Sequence, residues 1–225
     1  LQDGALQELH LQRSGTASVT GNLYRGRVER ILPGMQAAFV DIGLERPGFL
    51  HVKDIRGPAL DADTGAPAES AAEIGELIAE GETLLVQVAK DPIASKGARL
   101  TTHVAVASRY LVLMPFTRHV GVSQRIEDET EAERLREALQ CLREAEGECG
   151  CYGFIVRTAA DGASQAELAA DAFFLHRMWE RIQRQDGQAG AGALVYEELP
   201  VHIRVIRDLV GRDVDAIRVD CERTH

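Results

Sequence analysis

The sequence predicts an α+β chain with an all-β barrel inserted into it, on three observations. Residues 21–55 hold three short strand-like runs separated by Pro33-Gly34 and Gly43, the punctuation of successive strands. Two further runs, at 83–89 and 99–106, supply the remaining strands of a small closed barrel. Past them, apolar residues recur at helical spacing behind two Ser/Thr-x-x-Glu pairs, Thr130 with Glu133 and Ser164 with Glu167, which are capping-box signatures.

In chain order, residues 1–13 alternate apolar and polar side chains, as one strand of a hairpin whose partners lie elsewhere, and 14–20 form a polar linker. The chain starts in mid-pattern without a Met, so a truncated start is expected. The run 23–31 alternates, with Gly26 where a strand bends or admits a close neighbour. The run 37–42 is apolar apart from Asp41, and 48–52 opens a third strand. Residues 56–82 break the pattern with Gly57-Pro58, Gly65 and Pro67; they read as a long tolerated loop ending in a short helix over 73–80.

The last two barrel strands, 83–89 and 99–106, flank a loop at 91–97 that carries Lys96 beside Gly97. Residues 109–115 and 121–126 read as strands, and the helix behind Thr130 buries Leu135, Leu139 and Leu142. A buried strand at 154–156 ends in Arg157-Thr158. The helix behind Ser164 buries Leu168, Ala172, Leu175, Trp179 and Ile182. A Gly/Ala-rich linker at 185–193, a helix at 201–210 and a strand at 216–220 complete the chain; the last two lack partners, which again points to truncation.

Short strands with aromatics and tight turns fit a barrel of the OB type, which binds oligonucleotides on one strand face. Phe39 and Phe49 sit among small residues. Their rings either project from that face, where stacking on any base contributes about 1–3 kcal/mol, or fill the core as most Phe side chains do. Lys96 is either a solvated surface lysine or an RNA contact.

Composition narrows the function classes. The net charge of −10 argues against nucleic acid until its distribution is read. Residues 61–82 carry seven acids and no Lys or Arg, and 127–148 carry nine acids against Arg134, Arg136 and Arg143, so the remainder is slightly basic. No apolar run is long enough to span a membrane, and the first residues lack the features of a signal peptide. Cys141, Cys149, Cys151 and Cys221, irregularly spaced, read as reduced thiols of a cytoplasmic protein. No phosphate-cradling GxxxxGK[ST], Ser-His-Asp set or metal-ligand pattern is present, and acid pairs such as Asp213 with Asp215 or Glu167 with Asp171 read as solvated surface. No catalytic residue and no metal ligand is therefore assigned to this chain.

The stretch GNLYRGRVERILPGMQAAFVDIGLERPGFLHVKDI resembles the RNA-binding module of the bacterial ribonuclease E/G family, nearer its G branch. The resemblance continues through KDPIASKGARLTT, SRYLVLMP, GVSQRI and FIVRTAADG, in the same order over nearly the whole chain. It implies an α+β, multi-subdomain architecture with an inserted all-β OB-fold barrel. Residues 1–18 and 203–225 would be pieces of a ribonuclease H-like subdomain. Residues 19–102 would be an OB-fold domain of the ribosomal-protein S-one type with an insertion at 56–82, and 103–202 a 5′-monophosphate sensor. Phe39, Phe49 and Lys96 match positions that contact single-stranded RNA, and Arg157, Thr158 and the backbone amide of Val112 match those that bind the 5′-monophosphate. A neighbouring position, glycine in ribonuclease E, is Ser108 here. A pocket sized for one phosphoryl group would accept a triphosphate end poorly.

The intact enzyme would be a cytoplasmic homo-oligomer, with no membrane association, that cleaves single-stranded RNA with Mg2+ in rRNA processing and mRNA decay. The magnesium ligands, and the zinc held by a downstream linker, would lie outside this chain, which alone would be inactive. The alternative is a stand-alone OB-fold RNA-binding module of a translation or ribosome factor, without catalysis.

Overall fold

A computed structural model describes residues 5, 6, 9, 18–56, 73–145, 152–210 and 214–219. Five strands close into a barrel: β1 (Leu23–Leu32), β2 (Ala37–Asp41), β3 (Gly48–His51), β4 (Thr83–Lys90) and β5 (Arg99–Thr101). The order around it is β1-β2-β3-β5-β4, with β4 returning to β1; every pairing is antiparallel except β3 with β5. Alternation sends Val28, Ala38, Val40, Leu50, Val86, Val88 and Leu100 inward. Gly26 is required there: a Cβ on it would stand 2.6 Å from Val40 Cγ1. The short helix α1 (Ile74–Leu77) plugs Ile74 into the same core.

The chain then builds a second sheet from β6 (Val106–Ala107), β7 (Leu111–Met114), β8 (Val120–Val122) and β9 (Gly153–Val156), in the order β6-β7-β9-β8. Two helices, α2 (Glu129–Ala145) and α3 (Gln165–Gln188), pack on it. Leu135, Leu139 and all five residues predicted for the second helix are buried, with Leu142 packed against the same core, so the helical periodicity was a sufficient signal. The Ser164–Glu167 capping box is present, the serine hydroxyl accepting from the Glu167 amide and the Glu167 carboxylate from the Ser164 amide.

Four expectations are corrected. Asp128, not Thr130, caps α2: its Oδ1 accepts from the Thr130 amide at 2.9 Å. The run 99–106 is not one strand, because β5 stops at Thr101 and the turn at 101–104 delivers Val106 to the second sheet. The 185–193 linker starts late: α3 runs to Gln188, its last turn tied down by an Asp186–Arg25 ion pair of 2.9 Å. Finally, 214–219 do not form a strand. The hairpin expected at 1–13 and the loop at 57–72 lie almost wholly outside the described residues.

One strand was not foreseen. β10 (Leu194–Tyr196) pairs antiparallel with the start of β1, placing Tyr196 opposite Leu23 and Leu194 opposite Tyr24. Leu23 thereby joins the core under the second sheet while Tyr24 joins the barrel core, so the first turn of β1 is buried on both faces. The amphipathic helix α4 (Val201–Leu209) follows. Among the described residues no helix is long and apolar enough to cross a membrane.

The loop carrying Lys96 is seated by Gly97, where a Cβ would meet the Pro47 carbonyl oxygen at 1.8 Å. Backbone cannot yield there, so Gly97→Ala is expected to destabilise the barrel by roughly 1–3 kcal/mol, as overpacking does. Urea unfolding measures it, and an unchanged midpoint would contradict the packing.

Candidate functional site

The first candidate surface is the outer face of the barrel. Phe39 of β2 and Phe49 of β3 are directly paired across the sheet and only half-buried, so neither is a core residue. Their rings meet edge to face with centroids 6.2 Å apart and planes at 68°. The register extends this pair into a row across all five strands. Arg30 of β1 stands opposite Phe39, Arg99 of β5 beside Phe49, and Lys90 of β4 opposite Arg99. Two irregularities in register, between Val28 and Arg30 and between Val88 and Lys90, bring those cations into line. Arg30, Lys90 and Arg99 are exposed, and Arg99 is steadied by Asp54 at 3.0 Å.

Lys96 is exposed in the loop beside this row. Its loop is fastened to β3 by the Phe49 amide, which donates to the Ala98 carbonyl at 2.7 Å, and by the Gly97–Pro47 contact. Two rings flanked by cations suit a flexible polyanion with planar groups: the rings stack, and the cations take the intervening charge.

The second candidate is a hollow of about 820 Å³ between the end of β9 and α4. Ser123, Arg125, Arg157 and Thr158 line one wall, while Val201, Arg204, Val205, Asp208 and Leu209 of α4 line the other. Thr158 is exposed, with its hydroxyl 3.2 Å from that of Ser123. Arg157 uses one nitrogen, Nη1, for three contacts: the Ser108 carbonyl, the Arg109 carbonyl at 3.5 Å and Asp208 Oδ1 at 2.6 Å. Arg204 adds a guanidinium whose Nε is buried without a hydrogen-bond partner.

Asp208 is held from both sides. Arg207 grips it at two points, Nε to Oδ1 at 2.8 Å and Nη2 to Oδ2 at 3.2 Å, while also donating to the Ala107 carbonyl at 3.1 Å and to Glu198 at 3.3 Å. Glu198 in turn donates its amide to Asn22, at the threshold of β1. Burial works to raise the Asp208 carboxyl, but the hydrogen bonds from Arg157 and Arg207 outweigh it and hold it down at about 2.

The fold thus pairs Phe39 with Phe49 on the barrel face, leaves Lys96 exposed in the loop joining β4 to β5, and sets Arg157 and Thr158 on the wall of the hollow. Val112 lies in mid-strand, paired with Ile155 and Ala107, and is not among the residues lining the hollow. Ser108 enters through its carbonyl, while its hydroxyl and the Tyr110 and Leu111 amides converge on Asp171. The hollow is far larger than one phosphoryl group needs and lies in the range of small-ligand pockets, so a triphosphate is not excluded by size. Sequence reasoning missed Arg30, Lys90 and Arg99, whose alignment depends on register shifts, and Asp208, which meets Arg157 only through tertiary packing. Among the described residues no three His, Cys, Asp or Glu side chains gather as a metal ion requires.

A family model described as the ribonuclease E/G family matches residues 105–225. The chain is 45% identical over 227 residues to ribonuclease G of Escherichia coli K12, covering 100% of this chain and 45% of that protein. Ribonuclease G of Haemophilus influenzae is 42% identical over 221 residues, covering 98% of this chain and 44% of that protein. Ribonuclease E of a Nostoc species is 43% identical over 201 residues, covering 89% and 28%. The chain spans less than half the length of these curated relatives.

The ion pairs of Asp208 predict an acid signature. Its folded value of about 2 lies below the ordinary 3.8, so its stabilisation is complete above 3.8 and lost as pH falls towards 2. Wild type is expected to melt above Asp208→Asn at about pH 5, with the gap closing between about pH 4 and 2. Glu131, held to about 2 by Arg134 and the Gly162 amide, titrates alike in both proteins and cancels. A gap independent of pH would contradict the pairing.

Proposed function

The chain belongs to the ribonuclease E/G family, and from that premise we propose that it is the RNA-binding and 5′-end-sensing part of a ribonuclease G-like endoribonuclease. The observation that carries this reading is the row Arg30–Phe39–Phe49–Arg99–Lys90, two half-buried rings between cations on an open sheet face. A stacking platform of this kind accepts any base, whereas cations beside it set the path of the phosphates. Single strands fit it and duplexes do not, because a base inside a duplex already has both faces stacked on its neighbours. Lys96 extends the cationic border.

Arg157 and Thr158 supply the end recognition. A terminal monophosphate carries about −1.5 to −2 charges and exposes three acceptor oxygens, more than an internal phosphodiester offers. The arginine fork grips two of them and the threonine hydroxyl reaches a third. The Val112 amide, expected to assist, lies in mid-strand between β6 and β9 and has no part in this reading. Discrimination against a triphosphate rests on placement of the terminal charge and not on the size of the hollow.

In this reading the intact protein is a cytoplasmic homo-oligomer that acts on ribosomal RNA precursors and messenger RNA. Magnesium would supply charge neutralisation at the scissile phosphate and, like the zinc of the family's linker, would be held by residues outside this chain. The 225-residue chain by itself binds RNA without cleaving it.

Two measurements test the proposal. Phe39→Ala and Phe49→Ala should each weaken single-stranded RNA binding by roughly 1–3 kcal/mol, with little loss of thermal stability because both rings are already half-exposed. Unchanged affinity would remove the barrel face from the account. For one short RNA ending in a phosphate or a hydroxyl, wild type should prefer the phosphate by about tenfold or more. Arg157→Ala should abolish that preference and Arg157→Lys restore part of it. A wild-type ratio of one would sink the end-sensing assignment.

A further inference from the structure

Arg157 presents an asymmetry. Each of its contacts uses Nη1, on one side the carbonyls of the turn before β7, on the other Asp208 of α4. A guanidinium pinned at Nη1 cannot turn about its Cδ–Nε bond, which leaves its Nε–Nη2 edge as the fork for a second, bidentate partner. Arg157 lines the hollow and keeps 24% of its side-chain surface exposed.

Asp208 is itself immobilised. Arg207 binds both carboxylate oxygens, and Arg207 is largely buried, at 15% exposure, among Asp208, Glu198 and the Ala107 carbonyl. A carboxylate anchored so cannot easily swing aside when an anion arrives. It also cancels most of the distant pull of Arg157, so an anion gains from this site by docking on the fork and less by loose attraction. Internal phosphodiesters, which lack the third free oxygen and the second charge, lose most from that arrangement.

We infer that Asp208 is a positioning residue for end recognition: it fixes Arg157 by Nη1, turns the Nε–Nη2 edge towards the hollow, and thereby makes the site selective for a terminal phosphate. The inference rests on the end-sensing reading above and adds a residue from a different element, α4, to it. Since α4 is joined through Arg207 and Glu198 to Asn22 at the start of the barrel, the aim of Arg157 is set by the same contacts that seat α4 on the two sheets.

The test uses the 225-residue chain and one single-stranded RNA carrying either a 5′-phosphate or a 5′-hydroxyl. Asp208→Ala should cut the phosphate-to-hydroxyl affinity ratio by about tenfold while leaving the hydroxyl-ended RNA within about twofold of wild type. Asp208→Asn, the same shape with an acceptor oxygen for Nη1, should keep more of the ratio than Asp208→Ala. In an Arg157→Ala background the Asp208 change should no longer alter the ratio. A ratio that is unchanged or raised in Asp208→Ala would overturn the inference, the second result making Asp208 a competitor of the phosphate. Equal loss for both RNAs in both variants would reduce Asp208 to a structural role and overturn it as well. A wild-type ratio of one would instead defeat the end-sensing reading itself, so the two failures are distinct.

Discussion

Charges withdrawn from water must be paired, and the pairing of four such groups fixes how this molecule is put together. Arg157 and Arg207 meet across Asp208, and Arg207 reaches on to Glu198. The four come from β9's end, from α4 and from the segment between β10 and α4, none of which could be displaced without stranding a partner. Because each retains some exposure, the network is worth less than a fully buried set, and its value lies in geometry more than in stability. Through the Glu198 amide on Asn22 it reaches the first strand of the barrel. The hollow and the barrel are therefore held in one frame.

Under the proposed function, the two surfaces within that frame would divide the work of recognising a strand. The barrel row would be indifferent to base identity, since rings stack on any base and Arg30, Lys90, Lys96 and Arg99 would read only charge. The hollow would read a feature that occurs once per molecule, the end. A single RNA that engages both gains from effective concentration without any further contact. The overall acidity of the chain does not oppose this, because the acids cluster at 61–82 and 127–148 and the row itself carries cations.

Periodicity made the helices legible: Leu168, Ala172, Leu175, Trp179 and Ile182 fall on one face of α3 as the sequence implies, and Ser164 marks its start. It failed where tertiary context overrides local pattern. Leu23 and Tyr24 are both buried because β10 covers the start of β1, and a three-residue strand leaves too short a pattern to notice. The break after Thr101 was invisible because 99–106 holds no Gly or Pro and its Thr and Val residues suit a strand throughout while the chain changes sheets. The α2 cap was misread because Asp128, two residues ahead of Thr130, competes for the same amides. Phe39 and Phe49 could be singled out but not oriented, as a ring in a strand points inward or outward with the register. Arg157 and Thr158 were visible only through family resemblance, and Asp208, 51 residues away in the chain, gave no local sign at all.

The central claim is that a terminal phosphate docks on the free edge of an arginine that Asp208 already holds. A crystal structure of the chain bound to a short 5′-monophosphorylated single strand tests it most directly. The account predicts the terminal phosphate within hydrogen-bonding distance of Arg157 Nε and Nη2 and of the Thr158 hydroxyl, with Asp208 still on Nη1. A phosphate bound elsewhere, or an Asp208 driven off Arg157 by the ligand, would contradict it.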